Sequence, residues 1–79
     1  MHTVINVHVA FDPEARVWYV RHSDVHGLRV EAPKIEEMIE RVQSALLDLL
    51  EDDGEDGSRE VPLEVIAHHQ TTVRRAAAA

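Results

Sequence analysis

Alternating apolar and polar residues predict a β-hairpin at the start of the chain. Residues 3–11 alternate between an apolar face and a mixed face, which is the period of a half-buried strand. The apolar face consists of Ile5, Val7, Val9 and Phe11, and the mixed face of Val4, Asn6, His8 and Ala10. Asp12 and Pro13 then supply turn chemistry, because proline presets φ and aspartate accepts hydrogen bonds from the following amides. Residues 16–22, rich in β-branched and aromatic side chains, form the second predicted strand.

A short third strand and a helix are predicted next. Residues 28–32 alternate again after Gly27, a residue that is free to take a positive φ. Across residues 35–50 the apolar positions recur at steps of three and four, so that a continuous stripe runs along about four helical turns. Such a stripe is ordinarily part of a core, and we expect it to cover one face of a sheet.

The last third of the chain predicts a loop, a fourth strand and a tail. The acidic, glycine-containing run at residues 51–57 predicts a solvated loop. Residues 61–67 alternate as a strand, and Pro62 favours an edge position because proline donates no hydrogen bond to a ladder. We expect residues 1–70 to form one domain and residues 71–79, which lack a hydrophobic period, to form a disordered tail.

The order of these elements predicts an α+β fold of the type β-β-β-α-β. A meander leaves the first and third strands pointing the same way, and the helix carries the chain back so that the fourth strand runs parallel to the first. We predict a mostly antiparallel four-stranded sheet of order 3-2-1-4, with one helix as a right-handed crossover on one face. The other face has no cover within the chain, so it must be polar or find a partner.

Composition and charge narrow the possible functions. A chain of 79 residues is marginally stable alone, and without cysteine it has no disulfide or thiolate metal site. The formal net charge of −7 disfavours direct binding to nucleic acid and would speed association with a basic partner. We find no signal peptide and no apolar run near the roughly 20 residues of a membrane span, so we expect a cytoplasmic protein.

The residues that could carry catalysis or hold a metal are scattered along the chain. No serine lies in a nucleophile-elbow context, and there is no glycine-rich phosphate loop. His22 and His26 flank Asp24 and could bind zinc if a third ligand approached. Of the adjacent His68 and His69, only one could join them, because neighbouring strand side chains point to opposite faces. We therefore expect no enzyme activity, no cofactor and no metal.

Surface residues favour binding to another protein. By alternation, Val17 and Tyr19 share one face of the second strand while Trp18 and Val20 share the other, so one pair must lie away from the helix. Trp18 is either an interface anchor or the largest core residue. The helix carboxylates form either an acidic stripe for a basic partner or a solvated face. The candidate partner-binding residues are Trp18, Tyr19, Asp24, Glu36, Glu40 and Asp48.

Two adjacent segments resemble the HicB-like antitoxin domains, and in particular their small stand-alone branch. These segments are FDPEARVWYV at residues 11–20 and SDVHGLRVEA at residues 23–32. In that family an apolar strand leads into an acidic turn, a Val-Trp strand, an Asp-x-x-Gly-Leu turn, a short strand ending in Glu-Ala and an amphipathic helix. The likeness covers residues 3–66.

The resemblance implies a partial ribonuclease-H-like fold without its catalysis. It implies that the protein neutralises a HicA-type toxin, a small basic ribonuclease, by docking on the toxin's RNA surface. The first strand lacks the carboxylates that two-metal ribonuclease chemistry needs.

Two departures from the family pattern bear on this reading. Lys34 stands where the family often has a serine or threonine helix cap. Arg74 and Arg75 are too small a basic patch to replace the operator-binding module of many antitoxins, so we expect no direct nucleic-acid binding.

Other interpretations of the sequence remain open beside the antitoxin hypothesis. The fourth strand could pair with its counterpart in a second copy, and we expect a homodimer. One rival hypothesis is a stand-alone domain that binds a small ligand or a metal on its open face. Another is an orphan structural subunit without a toxin.

Overall fold

The computed structural model describes residues 4–51 and 60–76, and the predicted acidic loop and the end of the predicted tail fall largely outside these ranges. Within them the chain forms the predicted order of elements. These are β1 (Ile5–Asp12), β2 (Val17–Ser23), β3 (Glu31–Ala32), α1 (Ile35–Glu51) and β4 (Leu63–His68).

The four strands form one mixed sheet of order β3-β2-β1-β4. β1 and β2 pair antiparallel, as do β2 and β3, whereas β1 and β4 pair parallel. The predicted topology is therefore confirmed, and β4 is an edge strand as Pro62 indicated. The parallel pairing follows from the helix, which returns the chain to the end of the sheet where β1 begins.

The core lies between α1 and one face of the sheet. Val7 and Val9 of β1 are 0% exposed, and so are Met38 and Val42 of α1. Burying a side chain of this size contributes on the order of 1.5–3 kcal/mol relative to exposing it. The apolar stripe of the helix thus contributes to the core, as predicted, and β1 is the strand with the most buried residues.

The third strand is shorter than the predicted segment 28–32. It pairs with β2 only at Glu31 and Ala32. Gly27 has a φ of 86°, and the chain turns there so that Leu28, 6% exposed, enters the core. The alternation of this segment therefore reflects packing against the core, and most of it lies outside the hydrogen-bonded ladder.

A β-bulge interrupts the pairing of β1 with β2. His8 lies opposite His22, but the next residue, Val9, lies opposite Val20, so Arg21 has no partner in β1. Strict alternation would place His22 on the helix-covered face with Val20. The extra residue instead turns His22 to the open face beside His8.

The turn between β1 and β2 is built on Asp12, as predicted. Its Oδ1 accepts hydrogen bonds from the backbone N–H groups of Glu14, at 2.9 Å, and Ala15, at 3.3 Å. Its carbonyl accepts one from the N–H of Arg16, at 2.7 Å. Arg16 closes the turn with a φ of 61°, in the left-handed region that favours glycine.

We expect Arg16→Gly to raise the free energy of unfolding by about 1 kcal/mol, because glycine removes the Cβ strain of the left-handed conformation. Urea denaturation measures the change. Glu14→Gly is the matched control in the same turn, since Glu14 does not have a positive φ. An equal or larger gain from the control variant would contradict this assignment of strain to Arg16.

Candidate functional site

The sheet face opposite α1 has no covering element among the described residues. Val17 and Tyr19 lie on this open face, whereas Trp18 and Val20 lie on the face that packs against the core. Tyr19 is 37% exposed. Histidine, tyrosine and aliphatic side chains share the face with carboxylates, so it is neither a second core nor plainly hydrophilic.

Three histidines from three strands form a row across this open face. His8 of β1 lies in the middle, and the centroid of its ring is 5.9 Å from that of His22 and 5.3 Å from that of His68. The Nδ1 atom of His8 is 3.1 Å from the Nε2 atom of His68, which is a hydrogen bond in which one ring donates and the other accepts. We call His22, His8 and His68 the imidazole row.

The polar contact that the structure shows within the imidazole row is the hydrogen bond between His8 and His68. The rings of His8 and His68 are 13° from parallel, and their nitrogens are much closer together than their centroids. They therefore lie edge to edge, with one nitrogen of each ring facing the other. Among the residues that the structure describes, no three His, Asp or Glu side chains are arranged to hold a metal ion.

The predicted grouping of His22 with His26 is not the one that the structure forms. His26 is exposed in the turn after β2. His69 lies on the other side of the sheet, with its ring parallel to that of Phe11 at 4.8 Å and tilted against that of Trp18 at 5.7 Å. His8, which sequence reasoning did not weigh, is instead the centre of the row.

Asp24 connects the turn after β2 to β1. Its Oδ2 accepts hydrogen bonds from the backbone N–H of Asn6, at 2.8 Å, and from the Nδ2 of the same residue, at 3.2 Å. The bond from the Asn6 backbone is the main cause that lowers the pKa of Asp24 below 3.8. Desolvation opposes it, and the Asn6 amide, His22 and His8 add to the lowering of this pKa.

We expect Asp24→Asn to lower the free energy of unfolding near pH 7, and this loss to shrink as the pH falls. The folded-state pKa is depressed, so the carboxylate stabilises the fold above its unfolded pKa of about 3.9 and stops doing so as the pH falls through the lower folded value. Denaturation curves recorded between pH 7 and pH values below the unfolded pKa measure the difference.

Asn6→Ala is the matched control for this prediction. It removes the side-chain amide but keeps the backbone N–H, so the pKa of Asp24, followed by carboxyl NMR titration, stays below 3.8. A wild-type Asp24 that titrates at or above this value would contradict the assignment.

A second surface, a groove of about 570 Å³, lies between β3 and α1. Four carboxylates line it, together with the guanidinium of Arg41. That guanidinium donates to the backbone carbonyl of Glu31 and lies 3.6 Å from a carboxylate oxygen of Glu37, four residues earlier on the helix. The groove remains acidic. Its carboxylates belong to Glu31, Glu37, Glu40 and Asp48.

The groove continues into a hollow on the open face. This hollow, of about 500 Å³, is lined by residues that include Asp12 and Tyr19, and Glu31 lines both depressions. Glu31 therefore joins the helix carboxylates to the exposed tyrosine. We call the combined patch the acidic surface. It consists of Asp12, Tyr19, Glu31, Glu37, Glu40 and Asp48.

The six candidate partner-binding residues fall in different places. Three of them, Tyr19, Glu40 and Asp48, lie in the acidic surface. Glu36 is exposed on α1 but does not line the groove, and Asp24 is bonded to β1. The remaining candidate, the half-buried tryptophan of β2, packs against the core and against the ring of Phe11 at 5.4 Å.

Sequence reasoning missed Asp12, Glu31 and Glu37 as members of the acidic surface. Glu31 alternates with the buried Ala32, so its outward orientation is readable from the pattern of the third strand. Its position beside α1 is not readable, because it depends on how the helix crosses the sheet.

The fold and its surfaces define a small α+β domain of β-β-β-α-β order with an acidic groove between its third strand and its helix. The chain belongs to the family described as domain of unknown function DUF1902, whose model matches residues 4–77. No curated protein matches it in a sequence comparison.

A solved structure also resembles the chain. It is the crystal structure of hypothetical protein TTHA1013 from the extremely thermophilic bacterium Thermus thermophilus, with 29% sequence identity and a TM-score of 0.62. The match covers 91% of this chain and 99% of that chain. Neither comparison names a catalytic activity. Within the described residues, no helix is both long and apolar enough to cross a membrane.

Proposed function

We propose that this protein is a HicB-like antitoxin-type domain that binds and neutralises a small basic HicA-type ribonuclease toxin by covering its RNA-binding surface. In this proposal it acts in the cytoplasm as a homodimer, catalyses no reaction and does not bind nucleic acid directly. The observation that carries the proposal is the acidic surface.

The acidic surface has the charge and the length to receive a basic protein. Four carboxylates line the groove against a single arginine, which is already engaged with Glu31 and Glu37. From Glu37 to Asp48 the helix rises about 16 Å at 1.5 Å per residue, enough to meet several cationic side chains. A ribonuclease surface that attracts phosphates would also attract these carboxylates.

The net charge of the whole chain supports the same partner. A formal net charge of −7 on 79 residues produces a field that steers a basic protein towards the domain. Tyr19 adds an exposed aromatic ring, a side chain that is enriched at protein interfaces, at the end of the groove. The proposed contact therefore combines long-range attraction with an apolar anchor.

We expect the double variant Glu40→Lys and Asp48→Lys to weaken binding to a basic ribonuclease encoded beside this gene by at least about tenfold, because it places like charges across the interface. Co-expression followed by size-exclusion chromatography detects the complex, and calorimetry at two salt concentrations measures the affinity. Glu36→Lys is the control on the same helix, outside the groove.

Two outcomes would contradict the proposed toxin-neutralising function. One is a neighbouring gene product that is unrelated to such ribonucleases and does not co-elute with this protein. The other is a complex that tolerates the double variant as well as it tolerates the control.

The alternative function, binding of a small ligand or a metal on the open face, is favoured by one observation. The bulge at Arg21 turns His22 towards His8 and completes the imidazole row, and bulges often re-aim side chains at functional sites. A third ligand would still have to approach, because no three such side chains among the described residues are arranged to hold an ion. The orphan structural subunit has no feature of its own in its favour.

We expect added zinc to leave the melting temperature of the protein unchanged. A metal bound at about 100 times its dissociation constant would stabilise the fold by about 2.7 kcal/mol, which thermal denaturation detects readily. His8→Ala and His26→Ala serve as paired variants, since only the first removes a member of the imidazole row. A rise in melting temperature that His8→Ala abolishes and His26→Ala preserves would favour the alternative.

A further inference from the structure

The outer side of β4 presents backbone groups that no other described strand pairs with. In a parallel ladder, successive residues direct both their N–H and C=O groups alternately towards the neighbouring strand and away from it. The N–H of Ile5 donates to the carbonyl of Pro62 at 2.9 Å. The backbone N–H and C=O groups of the even-numbered residues in and beside β4 therefore point towards β1. The outward N–H and C=O groups consequently belong to Leu63, Val65 and Ala67.

This edge strand has neither of two features that often protect an edge, a short length and a bulge. β4 has six residues in an uninterrupted register with β1, and Pro62 precedes the strand with its carbonyl already bonded to Ile5. The opposite edge of the sheet, β3, has two residues. The two edges therefore differ, and β4 is the one that can accept another strand.

The segment after β4 is exposed along its described length. We call residues 70–76 the arm; every residue of the arm is exposed, and Val73 is 87% exposed. The family model nevertheless extends over the arm to residue 77. The arm is thus part of the region that the family shares, although it is not buried against the rest of this chain.

We propose that β4 and the arm bind a second copy of this chain. The two β4 edges pair antiparallel across a two-fold axis normal to the sheet, and each arm lies against the partner. This inference rests on the homodimer in the proposed function and names its surface. The axis leaves both helices on the same side of a continuous sheet.

A second copy fits this edge because the edge is self-complementary. Each outward residue of one β4 meets an outward residue of the other, so that the N–H and C=O groups left over in the monomer become paired. Each such hydrogen bond contributes only about 0.5–1.5 kcal/mol net. Burial of the arm, with Val73, adds the apolar area that a ladder alone does not provide.

The proline variant Ala67→Pro tests the contact. Ala67 is exposed and its N–H points outward, so proline removes a donor of the proposed ladder without removing a bond to β1. We expect the wild-type chain to have the mass of a dimer by light scattering. We expect Ala67→Pro to raise the dimer dissociation constant at least about tenfold in analytical ultracentrifugation. Ala67→Val, which keeps the N–H, is the matched control and remains dimeric.

A chain that ends at His69 is the second variant, because it removes the arm and leaves every residue of β4 in place. We expect it to be folded by circular dichroism and to dissociate more readily than the full chain. This variant decides the matter if Ala67→Pro does not fold. A monomeric wild-type chain, or a dimer that both variants leave intact, would overturn the proposal.

The result of the dimer experiment can be distinguished from the result of the toxin experiment. A dimer that responds to these variants but does not bind the neighbouring ribonuclease would support this contact and remove the toxin-neutralising function. A monomer that binds the ribonuclease would overturn this contact and support the toxin-neutralising function.

Discussion

The burial of α1 and β1 in one shared core is the constraint on which the rest of the structure depends. Met38 and Val42 of α1 belong to the same buried cluster as Val7 and Val9 of β1, and none of the four has any exposed surface. β1 also pairs on both sides, with β2 and with β4. Because a domain of this size has one small core, any change to this packing would be felt by every strand at once.

One helix can cover only one face of such a sheet. The groove and the imidazole row, which are the candidate functional surfaces, lie where the helix does not cover the sheet. The groove exists because β3 is short and α1 passes beside it, so that Glu31 meets the helix carboxylates. The imidazole row exists because the uncovered face collects side chains from neighbouring strands. The single helix therefore accounts both for the small size of the fold and for the location of these surfaces.

The parts of the structure that could be predicted from the sequence are those set by local periodicity. The alternation of the first strand and the apolar stripe of α1 were sufficient for the element order and the sheet topology. The bulge at Arg21 was not predictable, because it depends on the register between two strands, and it decides which face His22 occupies. The groove is half predictable: the helix pattern indicates Glu40 and Asp48 as surface carboxylates, but Glu31 joins them only through the crossing of helix and strand.

The order of the strands places the acidic surface at the β3 end of the sheet and the unpaired edge of β4 at the other end. In the proposed dimer the two outer strands would stand about 34 Å apart, at about 4.8 Å per strand spacing. The assembly would then be bivalent, with its two binding surfaces held on one rigid platform and facing away from each other. A partner that is itself paired at a matching distance would gain avidity from this arrangement.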